Sequence, residues 1–171
     1  MSAGKLNISF RPKPLSGRQP VRELTTPVTA KTLPQPVPED LTVRFGEAVS
    51  LATDGTWEIQ LPAEAAREAL EYLGRDRQPV FDYLLDLCGV DYPESFEVVY
   101  HLSRPTTAEV VRVRVQLPRR GAKVETVTDL WAGAGWPERE LMEMFGIAVE
   151  GNPDPRHLLL PEDWKGFPLR K

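Results

Sequence analysis

Two stretches of alternating residues do most to limit what this chain can fold into. Across 96–102, Phe96, Val98, Tyr100 and Leu102 alternate with Glu97, Val99 and His101; across 109–117, Val111, Val113, Val115 and Leu117 alternate with Arg112, Arg114 and Gln116. A period of two places the apolar set on one face of a strand and the polar set on the other. A short run around Ser103 to Thr107 joins the two, a link too short for a crossover, so the strands pair as an antiparallel hairpin. A sheet with one polar face can leave that face in water but must cover the other. His101, on the polar face, reads as a surface residue and not as a metal ligand.

The cover has to come from helices. Pro62 suits the opening of one, with Ala66, Ala69, Leu70 and Leu73 at helical spacing and Gly74 closing it. The spacing predicts a second helix from Pro79, with Phe81, Leu84, Leu85 and Cys88 on one stripe and Gly89 at its end. A third starts at Pro137, where Pro137, Leu141, Met144 and Phe145 share a face, Glu138 and Glu140 sit in the first turn, Arg139 and Glu143 are spaced to pair, and Gly146 marks the stop. Shorter alternations predict strands at 41–45 (Leu41, Val43, Phe45), at 57–61 after the Asp54-Gly55 turn, and near 124–130. The expected fold class is α+β: a mostly antiparallel sheet with helices packed on one face, followed by an extended C-terminal ribbon.

The ribbon follows from proline and glycine. After Ile147, Gly151, Pro153, Pro155, Pro161, Gly166 and Pro168 bar a regular helix or a central strand. Yet Leu158, Leu159, Leu160, Trp164, Phe167 and Leu169 are too apolar for a solvated tail. A fully extended run of 20 residues reaches roughly 65 Å, so the ribbon is expected to lie on another chain and to be ordered by it, not by its own domain. At the other end, residues 1–40 hold seven of the 17 prolines among Thr, Lys and Arg, which predicts an extended leader, either a disordered tail or an arm that docks on a neighbour. The expected division is a leader at 1–40, a domain at 41–147 and a partner-binding segment at 148–171.

Several function classes fall away. The formal charge of −4 is carried by the body, since residues 1–40 hold six Lys and Arg against three acids; an acidic body speaks against nucleic-acid binding. The single cysteine, Cys88, allows no internal disulfide and cannot ligate an iron–sulfur cluster alone; among acidic neighbours it reads as a small buried hydrophobe. No apolar run approaches the length of a membrane span or a signal-peptide core, so a soluble polypeptide on the cytosolic side is expected. Gly133-Ala134-Gly135 lies between a strand and a helix, as a dinucleotide loop does, but Glu138 stands where a third glycine belongs, and two carboxylates at that helix start repel phosphate. Glu138 and Glu140 point about 100° apart per residue step and do not converge as a catalytic pair; a stand-alone small enzyme using them is the reading of another class. No catalytic, cofactor-binding or metal-binding residues are expected.

The stretch Trp136 to Lys171 resembles the signature of the 30 kDa-type subunit of respiratory complex I, the proton-pumping NADH:quinone oxidoreductase. The resemblance rests on Trp136 to Glu140, Met144 to Ile147, Gly151, Pro153, Asp154, Arg156, Leu160, Pro161, Asp163, Trp164, Gly166 and Pro168 to Lys171, with Asp91 to Pro93 and Phe96 to Leu102 upstream. It departs at Glu143, where aspartate is usual, at Asn152, where histidine is usual, and at Pro155 and His157. It covers 41–171 and not the first forty residues. It implies a non-catalytic structural subunit of the peripheral arm that supports assembly and electron transfer from NADH to quinone. FMN and the iron–sulfur clusters would belong to partner subunits. The chief partner would be the quinone-site subunit related to the hydrogenase large subunit, and the location the cytoplasmic side of the cell membrane (the matrix side in a mitochondrion), held there only through the complex. The equivalent subunit of a membrane-bound hydrogenase or related dehydrogenase is the alternative. Glu138, Arg139, Glu140, Asp154, Arg156, Leu160, Pro161, Asp163, Trp164, Lys165, Phe167, Leu169, Arg170 and Lys171 are the expected subunit-interface residues, the charges fixing register and the aromatic residues and Arg156 anchoring.

Overall fold

The hairpin that dominates the sequence is the middle of the structure. The computed structural model describes residues 35–171; the leader expectation for 1–34 falls outside them. Strands β4 (Ser95–Arg104) and β5 (Glu109–Pro118) pair antiparallel from Ser95↔Pro118 to Arg104↔Glu109. Around them a five-stranded sheet runs in the order β1-β2-β5-β4-β3, with β1 Val49–Leu51, β2 Trp57–Pro62 and β3 Tyr83–Asp91. All its pairings are antiparallel except β2 with β5. The inward residues of the hairpin, Phe96, Val98, Tyr100, Leu102, Val111, Val113, Val115 and Leu117, are all buried. They meet helices α2 (Ala63–Glu71) and α3 (Gly135–Phe145) in one core.

The other face of the sheet is an ionic ladder. Arg112 and Arg114 on β5 both reach Glu58 on β2 at 3.1 Å; Arg114 also holds Glu97 on β4, and Arg112 holds Asp54 and donates to His101 Nε2 at 3.0 Å. Opposite charges placed across neighbouring strands each add a few tenths of a kcal/mol to about 1 kcal/mol. His101 is thus a member of the ladder.

Several sequence expectations need correction. The alternation at 41–45 is helical: α1 runs Glu39–Phe45. Five residues fit either period, and here only Leu41 of the supposed strand face is buried, while Val43 is 79% exposed. Glu39 and Asp40 in the first turn suit the positive end of a helix, and Asp40 is held by Arg77 at 2.6 Å. The domain also begins earlier than 41, because Gln35 accepts a bond from the Trp57 indole at 3.0 Å and Val37 packs on the core.

The expected helix from Pro79 is strand β3. Leu84, Leu87 and Gly89 stand opposite Leu102, Tyr100 and Val98 of β4, on the core face, and a bulge at Leu85 keeps the two runs in phase. Sheet pairing along its whole length outweighed an apolar spacing that fits a helix equally well. Gly89 explains how α3 sits down on this strand: a Cβ there would lie 2.8 Å from Leu141 Cδ1 and 2.8 Å from Phe145 Cδ2. Gly89→Val is expected to cost about 2 kcal/mol through overpacking, read as a lower midpoint in urea with an unchanged slope.

The expected strand at 124–130 shortens to β6, Lys123–Glu125, and pairs parallel with β7, Ala148–Glu150, in a second small sheet. The ribbon therefore starts later than 148.

Candidate interaction site

Helix α3 works as a bracket for everything that follows it. It starts two residues before Pro137 and ends at Gly146, whose φ of 64° is the left-handed stop expected there. Three of its side chains turn back and bind the chain downstream. The Glu138 carboxylate, 1% exposed, accepts from the Val127 backbone N–H and from Thr126 Oγ1, both at 2.7 Å, and from Asn152 Nδ2 at 2.7 Å. Arg139 donates to the carbonyls of Arg156 (2.8 Å) and His157 (2.6 Å) and pairs with Asp154 at 3.2 Å. Glu143, 5% exposed, accepts the consecutive backbone N–H groups of Leu158, Leu159 and Leu160. The expected Arg139–Glu143 pair is thus replaced by separate contacts, because an unpaired run of main-chain donors and acceptors next to the helix offers each a better partner.

The far end of the ribbon is tied as well. Leu169 N–H donates to the Met144 carbonyl at 3.1 Å, and Arg170 donates to the Phe145 carbonyl at 2.6 Å, where a cation suits the negative end of the helix. The Arg170 guanidinium stacks 4.3 Å from the Phe167 ring centre and 5.1 Å from Phe96. The Lys171 N–H reaches Asp91 at 2.6 Å, and Asp91 also takes Arg119. Phe167 lies over Gly146, so that a Cβ there would collide with its ring. Gly146→Ala is expected to free the Phe167 end of the ribbon, since alanine meets both the left-handed backbone and the ring; a rise in phenylalanine ring mobility in side-chain NMR relaxation, with α3 still helical, is the result that checks it.

These contacts overturn the expectation that the ribbon is ordered by a partner and not by its own domain. Its backbone is fastened at 152–160 and at 169–171. What the ribbon does not do is bury its large side chains: Leu159 is 64% exposed, Trp164 48%, Phe167 44% and Leu169 49%. Polar groups hold it from beneath, Leu160 packs on the core and Leu158 is half-buried, while Leu159, Trp164, Phe167 and Leu169 stay exposed.

The expected interface residues therefore separate. Glu138 is inside the domain and cannot meet another chain with its carboxylate. Arg139 is largely covered and engaged internally. Glu140, Arg156, Pro161, Asp163, Trp164, Lys165, Phe167, Leu169, Arg170 and Lys171 are exposed, and Asp154 and Leu160 are half-buried. Residues that hold the site but escaped the sequence reading as such are Glu143, Asn152, Asp91 and Gly146. A signal for two of them was present: an acid one turn after Arg139, and an asparagine just before a proline, a side chain that often bonds the backbone two residues on, as Asn152 Oδ1 does with Asp154 N–H at 2.8 Å.

The electrostatics follow the contacts. Burial pushes the Glu143 carboxyl up, but the three N–H groups of 158–160 outweigh it and leave Glu143 below the ordinary glutamate range. Asp154 is drawn down to about 2 by Arg156, with Arg139 assisting. Asp129, at the start of the loop before α3, is drawn down to about 2 by the Arg67 guanidinium, which holds it at 2.7 and 2.9 Å. A carboxyl lowered on folding stabilises the fold fully above its unfolded value and loses that contribution as pH falls through its folded value. So Glu143 grips 158–160 undiminished above the ordinary value of 4.5 and lets go only below it. Amide chemical shifts of 158–160 are expected to move together in acid, with a shared midpoint under that value.

Comparison with known proteins identifies the family. Residues 59–171 match the family model described as respiratory-chain NADH dehydrogenase, 30 Kd subunit. The chain belongs to that family. The C subunit of the NADH-quinone oxidoreductase of Roseiflexus sp. strain RS-1 is 38% identical over 120 residues, covering 68% of this chain and 69% of that one. The C 2 subunit of the NADH-quinone oxidoreductase of Rhizobium meliloti strain 1021 is 41% identical over 132 residues, 74% and 72% of the two chains. The C subunit of the F(420)H(2) dehydrogenase of Methanosarcina mazei is 37% identical over 139 residues, 78% and 87%. Among solved structures, the trypsin-resistant fragment (1-134) of Nqo5 superposes with a TM-score of 0.55 at 34% identity, over 62% of this chain and 87% of that one. The 30 kDa family thus shares this α+β fold. No helix among the described residues is long and apolar enough to cross a membrane.

Proposed function

We propose that this chain is a non-catalytic subunit of the peripheral arm of an NADH:quinone oxidoreductase of the complex I type, and that it docks through the outer face of its C-terminal ribbon. The observation that carries this reading is a ribbon whose backbone is fixed to α3 while Leu159, Trp164, Phe167 and Leu169 stand exposed. A fixed backbone means that little ordering entropy is lost on binding, and fully covering a side chain of that size stabilises a contact by about 1.5–3 kcal/mol. The partner proposed is the quinone-site subunit related to the hydrogenase large subunit, with cluster-bearing subunits adjacent. FMN, iron–sulfur clusters, NADH and quinone are assigned to those chains, and this chain is assigned the rigidity of the arm. The location proposed is the cytoplasmic side of the membrane, peripheral and through the complex.

A second reading has its own support. The similarity to the Methanosarcina F(420)H(2) dehydrogenase chain extends over more of this protein than that to the Roseiflexus chain. The same bracket would serve a related dehydrogenase with a different electron donor.

The pure chain is expected to carry neither flavin nor iron: absorbance at the flavin bands and iron analysis should both read zero per chain. Stoichiometric FMN or iron would overturn the assignment of all redox centres to partners. The donor is distinguished by purifying the complex from membranes and assaying it with NADH and with a reduced deazaflavin.

A further inference from the structure

The two edges of the five-stranded sheet are unlike. β1 closes one edge with three residues; β3 forms the other with nine. The ladder of β3 runs to β4, and among the described residues no backbone bond from 83–91 goes to its outer side. Exposed edges are normally defended by shortness, lysine, proline or a bulge. β1 uses shortness. β3 has no lysine or proline, and its bulge lies near its start, at Leu85. Beyond that bulge, 86–91 continue in unbroken register with β4, so their outer N–H and C=O groups form a regular row. Tyr83 and Leu85, at the entry to that row, are 54% and 51% exposed.

The row has a charge. Asp82 just before the strand, Asp86 on it and Glu140 on the helix beside it are exposed, and none forms an ion pair among the described residues. The Cys88 thiol, in mid-strand, is pushed up by burial and then by Asp86, Glu140 and Glu97, of which Glu97 is neutralised by Arg114. Around 82–88 the uncompensated charge beside the edge is therefore negative, while Arg119 and Lys171 meet Asp91 at its far end. A second copy of the same edge would set these acids against one another, and like charges facing across a strand pair are destabilising.

We propose that the outer edge of β3 accepts an extended, lysine- or arginine-bearing strand of a partner chain, adding a sixth strand to the sheet and placing its basic side chains against Asp82, Asp86 and Glu140. Main-chain bonds supply the affinity in this mode of recognition and alternate side chains the selectivity. The surface is separate from the ribbon's outer face, and the proposal stands whichever oxidoreductase the chain serves.

The test uses the full chain and three labelled hexapeptides: one alternating lysine with valine, one alternating glutamate with valine, and the lysine peptide N-methylated at every residue, so that neither of its edges keeps a donor. Fluorescence anisotropy is expected to show the lysine peptide binding at least tenfold more tightly than either other, with amide-exchange protection gained at 86–90. The Asp86→Lys, Glu140→Lys variant, whose sites are exposed, is expected to keep its melting temperature and reverse the preference towards the glutamate peptide. Equal affinity for the lysine and glutamate peptides, equal affinity for the N-methylated one, absence of binding, or protection elsewhere would overturn the proposal. So would self-association of the chain in sedimentation that masks 86–90, since a second copy would then be the occupant.

Discussion

Replacing Glu138 with alanine is expected to lower the melting temperature of the domain by roughly 10 °C. The carboxylate is buried and accepts from the Val127 N–H, the Thr126 hydroxyl and the Asn152 amide. Alanine strands the Val127 N–H and the Asn152 amide, leaves Thr126 only its contacts with Thr128, and opens a cavity. Stranding a buried donor costs about 1–3 kcal/mol, so a total of about 3 kcal/mol is a conservative sum, and each kcal/mol moves the midpoint of a domain this size by about 4 °C. Glu138→Gln keeps the shape and part of the accepting capacity, and roughly half the loss is expected. Thermal melts followed by circular dichroism measure both. A Glu138→Ala midpoint within a degree or two of the parent would mean that the loop at 126–128 and the turn at 152 are not joined through this side chain.

Glu143→Ala acts locally. It removes the acceptor for the N–H groups of 158–160 but leaves Arg139 on the carbonyls of 156 and 157 and the far end of the ribbon on α3. Bonds to a charged acceptor contribute about 1.5–3 kcal/mol each to the state that contains them. A local opening that loses about 2 kcal/mol of protection speeds amide exchange roughly thirtyfold, while amides of β4 and β5 report the global stability and change little. Exchange followed by NMR should therefore show a fast segment at 158–160 against an unchanged sheet. Uniformly faster exchange would contradict the bracket, because Glu143 would then be supporting the core and not the ribbon alone.

The contrast between these two variants shows what was legible in the sequence. The hairpin, β2, α2 and α3 were, because each has a long run with one period and a matching start or stop residue. The run 41–45 was not, since five residues satisfy both periods and the decision lay in Asp40 meeting Arg77 from 37 positions away. The run 83–91 was not, since Leu84, Leu87 and Gly89 take their meaning from β4 and from the close approach of α3. In the site, the resemblance to the 30 kDa family marked most of the residues that matter but not their direction. Glu138 and Arg139 read as surface charges because acids and arginines at a helix start usually are; their burial depends on a chain that returns over them fifteen or so residues later. The ribbon read as unable to stand on its own domain because its prolines forbid regular structure. Side-chain acceptors can satisfy an irregular backbone as well as a ladder does, and Glu143 supplies them.

A pre-formed docking surface on the ribbon is tested most directly by co-purification of an affinity-tagged chain from detergent-solubilised membranes. Tagged parent protein is compared with Leu159→Ala, Trp164→Ala, a pair chosen because both side chains are exposed and make no side-chain hydrogen bond to the bracket among the described residues. Parent protein is expected to bring down the quinone-site and cluster-bearing subunits in equal amounts; the double variant, with an unchanged melting temperature, is expected to bring down at least tenfold less. Recovery of the same subunits in the same amounts by the double variant would contradict the claim.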